Sequence, residues 1–149
     1  MTPEIGAKLS AAAQKLAAGD HRGSRALCDE IVSLAPDIAE THYMLGEIAL
    51  QAGDAAAALA HLERSLALKP EFARAKAVRA RSLEAAGLAE EAVTAAREAG
   101  RAVAADAYTL DTAALLLTGA WLHAEAVDLS SRAANSARWT GYWYNYAAA

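Results

Sequence analysis

Small and apolar residues recur at helical spacing through much of the chain. Two series flank Gly53, and each contains pairs of positions that lie three or four residues apart. The series before it holds Tyr43, Leu45, Ile48, Ala49 and Ala52, and the series after it holds Ala58, Leu59, Leu62, Ser65 and Leu66. Such intervals place side chains on one face of an α-helix. The pattern therefore predicts two amphipathic helices joined by a short turn.

This pattern returns with a period of thirty-four residues. Pro36 and Pro70 are thirty-four apart, and each follows a similar apolar segment. The turns recur at the same step, as Ala18-Gly19-Asp20, Ala52-Gly53-Asp54 and Ala86-Gly87-Leu88. Glycine commonly ends a helix in the left-handed conformation, and proline cannot continue a helix, so both mark helix ends. The period predicts an all-α chain built from helix hairpins.

A helix-turn-helix of this length resembles the tetratricopeptide repeat family. The second unit matches best, with His42, Leu45-Gly46, Ala49, Gly53-Asp54, Ala58, Leu62, Ser65 and Pro70 at the family positions. The resemblance implies an α-solenoid, a right-handed superhelix of about four units and a C-terminal capping helix, in a single domain over 1–149. The units are expected at about 5–38, 39–72, 73–106 and 107–140.

Some units depart from the family pattern. Ser24 and Ser65 stand where alanine is usual, the third unit has Ala104 where proline is usual, and the fourth has Trp121 where glycine is expected. Because glycine adopts the left-handed conformation most easily, Trp121 puts the geometry of the fourth turn in doubt.

The C-terminal segment is rich in aromatic residues. Residues 139–149 contain five of the nine aromatics of the chain. Residues 141–149 are predicted to begin a fifth unit or to form a helix that caps the fourth, because the apolar end of an array must be covered. Alternatives are an aromatic ligand box and a homo-oligomer formed through this segment.

The composition limits the kinds of partner that this chain could bind. The net charge of −4 and the pI near 5.5 lack the basic field that nucleic-acid binding requires, so no nucleic acid is expected as a partner. There is no signal-like start and no run of eighteen apolar residues, which predicts no membrane partner and a cytoplasmic location. The 43 alanines among 149 residues favour closely packed helix pairs over one bulky core.

The residues that could catalyse a reaction are scattered. The four histidines lack the i, i+4 spacing of a helical metal site, and His42 alone is expected in the core or an interface. Cys28 is the single cysteine and is expected to be buried and inert. No glycine-rich phosphate loop is present. We therefore predict no enzyme activity, no metal and no cofactor.

The resemblance implies a ligand face on the first helix of each unit, as in other members of the family. The predicted groove residues are Tyr43, Glu47, Leu50, Arg74, Arg81, Glu84, Tyr108 and Asp111, within a wider set that includes Glu40 and Leu115. Such a mixed apolar and charged groove suits a protein or peptide partner. The positions at which chaperone-tail binders carry Lys and Asn hold Leu9, Ala13 and Met44, which disfavours that particular role.

Charge is uneven along this face. The second unit has five acids and two bases, and the third has six bases and five acids. Arg74 and Arg81 are two turns apart on one helix and could clamp a carboxylate. The alternative is that they lie on a solvated face and pair with Glu40 or Glu47.

Three functions follow as hypotheses. The first is a scaffold or adaptor that binds a protein segment in the groove. The second is a non-catalytic N-terminal region of a larger enzyme, since the alanine-rich repeats loosely resemble the arrays attached to bacterial sulfotransferases. The third is a self-associating structural module.

Overall fold

The computed structural model of the protein describes residues 1–137, which form eight α-helices. These are α1 (Pro3–Ala17), α2 (His21–Leu34), α3 (Ala39–Gln51), α4 (Ala55–Leu68), α5 (Ala73–Ala85), α6 (Ala89–Arg101), α7 (Ala107–Gly119) and α8 (His123–Ala137). Helices that follow each other pack as four hairpins, α1 with α2, α3 with α4, α5 with α6 and α7 with α8. The described residues contain no strand, so the prediction of an all-α helical repeat is confirmed.

The helices fall into two compact units. The first is Met1–Pro70 and holds α1 to α4, in which α3 also packs on α1 and α2. The second begins at Glu71 and holds α5 to α8, in which α7 also packs on α5 and α6. The single domain over 1–149 remains a prediction, and the fifth unit or cap at 141–149, with the self-association assigned to it, lies outside the described residues.

The turn within each hairpin is set by one residue with a positive φ. Gly19, Gly53 and Gly87 have φ angles of 82°, 82° and 80°. At the second turn the N–H of Gly53 donates to the carbonyl of Leu50 at 3.0 Å, and the N–H of Asp54 donates to that of Ala49 at 2.9 Å. These two bonds satisfy the last carbonyls of α3. Glycine is therefore needed here for its backbone conformation.

The fourth hairpin keeps this turn although Trp121 replaces glycine. Trp121 has a φ of 64°, and its N–H donates to the carbonyl of Thr118 at 3.0 Å. Trp121 is 82% exposed, and its ring forms a T-shaped contact with the ring of His123, with 5.8 Å between the ring centroids. The doubt raised by the sequence is thus resolved in favour of the repeat. A bulky residue in the left-handed region costs about 1–2 kcal/mol, which this exposed side chain does little to offset.

We expect Trp121→Gly to raise the free energy of unfolding by about 1 kcal/mol, because it removes the left-handed strain and loses little buried surface. Chemical denaturation followed by circular dichroism measures the change. The matched control is Gly87→Ala, which should lower stability by about 1 kcal/mol, since a Cβ there meets no atom within 4 Å and only the conformation is affected. Equal or lower stability of Trp121→Gly would contradict the strain argument.

The serines that replace alanine are fully buried, and each makes a bond between helices. The hydroxyl of Ser24 donates to the carbonyl of Ala12 at 2.9 Å, joining α2 to α1. The hydroxyl of Ser65 donates to the carbonyl of Ala39 at 2.8 Å, joining α4 to α3. A small hydroxyl that finds a carbonyl is tolerated in a core because its polar atom is satisfied.

The second and third hairpins each carry a pair of residues of complementary size where their two helices pack. Gly46 on α3 faces Leu62 on α4, and a Cβ added to Gly46 would lie 2.8 Å from the Leu62 Cγ. The corresponding positions of the next hairpin hold Ala80 and Ala96, both fully buried. A large side chain opposite glycine and two small side chains opposite each other give similar close packing.

Candidate functional site

No helix within residues 1–137 is both long enough and apolar enough to cross a membrane. That range also contains no group of three His, Cys, Asp or Glu side chains that could hold a metal ion. Cys28 is fully buried, and burial raises the pKa of its thiol to about 11. The expected burial of Cys28 is thus confirmed, and a thiol with so high a pKa carries little of the nucleophilic thiolate at neutral pH.

Two histidines that are far apart in sequence meet in the first unit. The rings of His42 and His61 stack with centroids 6.3 Å apart, and the Nε2 of His42 lies 2.7 Å from the Pro36 carbonyl oxygen. Burial lowers the pKa of His61, and the nearby His42 lowers it further. The expectation that His61 lies on a solvated face is therefore wrong, because the ring is half-buried against His42. Helix pairing, which brings α4 onto α3, created this contact.

The predicted groove residues of the first unit lie on α3. Tyr43 is only 9% exposed, so most of its surface belongs to the core. Glu47 and Leu50 follow at intervals of four and three and are half-buried. One helical face thus carries all three residues, and its partly exposed positions are Glu47 and Leu50.

The predicted groove residues of the second unit come from α5 and α7. Arg74, Arg81 and Glu84 lie on α5, and Tyr108 and Asp111 lie on α7. The guanidinium carbon of Arg74 lies 5.3 Å from the centroid of the Tyr108 ring, and the Nη1 of Arg81 donates to the Tyr108 hydroxyl at 3.1 Å. Tyr108 therefore contacts both arginines, and we call these three residues the Arg74–Tyr108–Arg81 cluster.

Asp106 anchors this cluster and was not among the predicted site residues. Its Oδ1 accepts the N–H of Thr109 at 2.9 Å and the Thr109 hydroxyl at 2.7 Å, which caps α7. Its Oδ2 accepts the Nε–H of Arg74 at 2.6 Å. Burial acts to raise the pKa of Asp106, but the bonds from Thr109 and Arg74 outweigh it and hold the pKa below its ordinary value. The signal in the sequence was an aspartate three residues before a threonine at a helix start.

Two residues of the predicted ligand face, Glu40 and Arg74, form ion pairs within their own compact units. Arg74 pairs with Asp106 of its own unit, and Glu40 accepts a bond from Lys69 at 3.1 Å. Arg81 forms no ion pair with any carboxylate of the described residues. Among residues 1–137 its one hydrogen-bond partner is the uncharged hydroxyl of Tyr108, so four of its five N–H donors remain for contacts outside that range.

The sequence itself supports the repeat assignment. Residues 15–81 match the family model of the tetratricopeptide repeat. The match covers a little under half of the chain and includes the Gly19 and Gly53 turns, whereas the Gly87 and Trp121 turns follow it. No protein in a search of curated sequences matches the chain.

Solved structures show the same fold over most of the chain. A crystal structure of MamA has a TM-score of 0.68 at 20% identity and covers 92% of this chain and 80% of its own. A structure of Pseudomonas aeruginosa pilF has a TM-score of 0.75 at 16% identity and covers 90% of this chain and 61% of its own. A mutant of the Thermobaculum terrenum O-GlcNAc transferase gives 0.69 at 25% identity and covers 78% of this chain. This chain spans only 23% of that transferase, and the resemblance to sulfotransferase arrays is not confirmed.

Proposed function

We propose that this chain is a protein-interaction module that binds an acidic peptide or protein segment at the Arg74–Tyr108–Arg81 cluster. The observation that carries the proposal is Arg81, a half-buried guanidinium without a carboxylate partner among residues 1–137. A partly desolvated arginine binds a carboxylate strongly, because its planar N–H fork matches the two carboxylate oxygens.

The surroundings of the cluster suit a peptide with apolar as well as acidic side chains. Tyr108, Asp111 and Leu115 occur at intervals of three and four along α7 and so share one face of the helix. The Leu115 side chain is 73% exposed. An exposed leucine beside a cationic group fits a peptide segment in which apolar and acidic side chains alternate. The partner would therefore place an acidic group at Arg81 and an apolar group at Leu115.

The test uses a partner captured from native lysate, identified by mass spectrometry and then titrated in purified form. We expect Arg81→Glu, and the double variant Arg74→Glu with Arg81→Glu, to weaken binding by at least tenfold, because each reverses a charge at the contact. Arg22→Glu in the first unit is the matched control and should bind as the unsubstituted protein does. Helical circular dichroism verifies folding, and unchanged affinity of both variants would remove this assignment.

A second candidate is that the repeats form the non-catalytic part of a longer enzyme. The support is the likeness to 23% of the O-GlcNAc transferase chain at 25% identity. The catalytic residues would then lie outside this sequence. An antibody against the repeats, applied to a lysate of the source organism, distinguishes the cases: a band near 15.5 kDa contradicts this candidate, and a much larger band supports it.

A further inference from the structure

A pocket of about 400 Å³ lies between α6 and α8, and its floor is apolar. Leu117 of α7 and Leu129 of α8 line it and are 1% and 6% exposed. Gly100 lines it from α6, and a Cβ there would lie 2.9 Å from the Cδ2 of Leu129. The two preceding repeats carry Val32 and Leu66 at this position. Glycine in the third repeat therefore lets Leu129 lie directly against the α6 backbone.

One wall of the pocket is formed by an ion pair with two hydrogen bonds. The Nε of Arg97 donates to the Oε2 of Glu125 at 2.9 Å, and its Nη2 donates to Oε1 at 2.8 Å. This two-point contact joins α6 to α8 and fixes both side chains. The bonds from Arg97 also hold the pKa of Glu125 below its ordinary value, and the charge of Arg101 adds a smaller effect in the same direction. Arg101 lies close to this pair, since all three residues also line a neighbouring depression of the surface.

The rim has more positive charge than its own carboxylates neutralise. It holds Arg97, Arg101 and Arg132 against Glu125 and Asp128. Arg97 is bound to Glu125 by two hydrogen bonds, and the Nη1 of Arg132 lies 3.9 Å from the Oδ2 of Asp128. Arg101 makes no hydrogen bond and no ion pair in the described part of the chain. The excess positive charge of the rim is therefore that of Arg101, which lines the pocket together with the apolar floor.

We propose that this pocket binds an organic carboxylate with a compact apolar body. The carboxylate lies on Arg101, and the apolar body lies on Leu117 and Leu129. A volume of about 400 Å³ is near the lower end of small-ligand pockets, which suits a group the size of one amino acid. A free carboxylic acid and the C-terminal residue of a peptide share this chemistry. The pocket shares no residue with the Arg74–Tyr108–Arg81 cluster, so the two proposals are independent.

The probes are N-acetyl-leucine, which has the carboxylate, and N-acetyl-leucinamide, which lacks its charge. Methyl NMR of the full chain reports the contacts of Leu117 and Leu129 with each probe. We expect the acid to shift these methyl signals with about millimolar affinity, and the amide to bind about tenfold more weakly. A tetrapeptide ending in leucine, as acid and as amide, tests the second source: binding equal to that of N-acetyl-leucine identifies a peptide terminus, and binding tenfold weaker identifies a free acid.

Two variants make the assignment specific. Arg101→Gln should lower the affinity for the acid to that for the amide, whereas Arg79→Gln, on α5 and outside the pocket, should leave the preference unchanged. Unshifted signals from the remaining methyl groups verify that both variants are folded. Equal affinity for acid and amide, a preference that survives Arg101→Gln, or unmoved signals of both leucines would each overturn the proposal.

Discussion

Replacing Leu62 with alanine lowers the free energy of unfolding by about 3 kcal/mol, the loss expected for a large side chain removed from a fully packed site. Leu62 is 0% exposed and fills the space opposite Gly46, where α3 and α4 cross. Because Gly46 has no side chain that could move into the space, the cavity would stay largely open. Urea denaturation followed by the helical circular dichroism signal measures the loss.

The matched control for this substitution is Leu34→Ala. Leu34 ends α2 and is 58% exposed, so the same chemical change leaves no cavity and should cost less than about 1 kcal/mol. Both leucines belong to the first compact unit, so one denaturation signal reports on both. Similar losses for the two variants would show that the α3–α4 crossing is not closely packed.

The second large effect is expected for Gly46→Ala. Alanine favours a helix over glycine by about 1 kcal/mol, which alone would stabilise α3. The added Cβ, however, would lie 2.8 Å from the Cγ of Leu62, closer than such atoms approach, and 3.0 Å from its Cδ2. Overpacking of a core commonly costs about 1–3 kcal/mol, so we expect a net loss of about 1–2 kcal/mol. Urea denaturation under the same conditions measures it.

A double-mutant cycle separates the clash from other effects. Gly46→Ala combined with Leu62→Ala reproduces the pair Ala80 and Ala96 of the next hairpin, so the added Cβ no longer meets a leucine. The double variant should therefore be at least as stable as Leu62→Ala alone, a coupling of about 1–2 kcal/mol. Ala80→Gly is the control for propensity and should lose about 1 kcal/mol. Additive losses in the cycle would mean that Gly46 and Leu62 do not interact.

Several features of the fold were predictable because they depend on residues close in sequence. The apolar spacing around Gly53 and the thirty-four-residue period predicted helix hairpins, and α3, α5 and α7 begin thirty-four residues apart at Ala39, Ala73 and Ala107. Local hydrogen bonds and one glycine conformation determine such a turn. Trp121 shows the limit of this reasoning. A tryptophan is unusual in the left-handed conformation, yet Trp121 adopts it and the turn after α7 forms with the same hydrogen bonds as the other turns.

The candidate site was predictable in part. The repeat period placed Arg74, Arg81 and Tyr108 on first helices, but it did not show that Tyr108 contacts both arginines. It also did not show that Asp106 binds Arg74, because that contact joins residues thirty-two apart. Which residue a long charged side chain binds depends on distances of a few ångströms, and a sequence pattern does not give those distances.

The sequence by itself determined the helices, their turns and their period, because each results from spacing, capping and backbone conformation within a few residues. Tertiary structure alone decided which side chains meet: His42 with His61, Arg97 with Glu125, and Gly100 with Leu129. Each of these contacts joins two helices. Their physical basis is close packing between helices, where the size of one side chain determines what can lie opposite it.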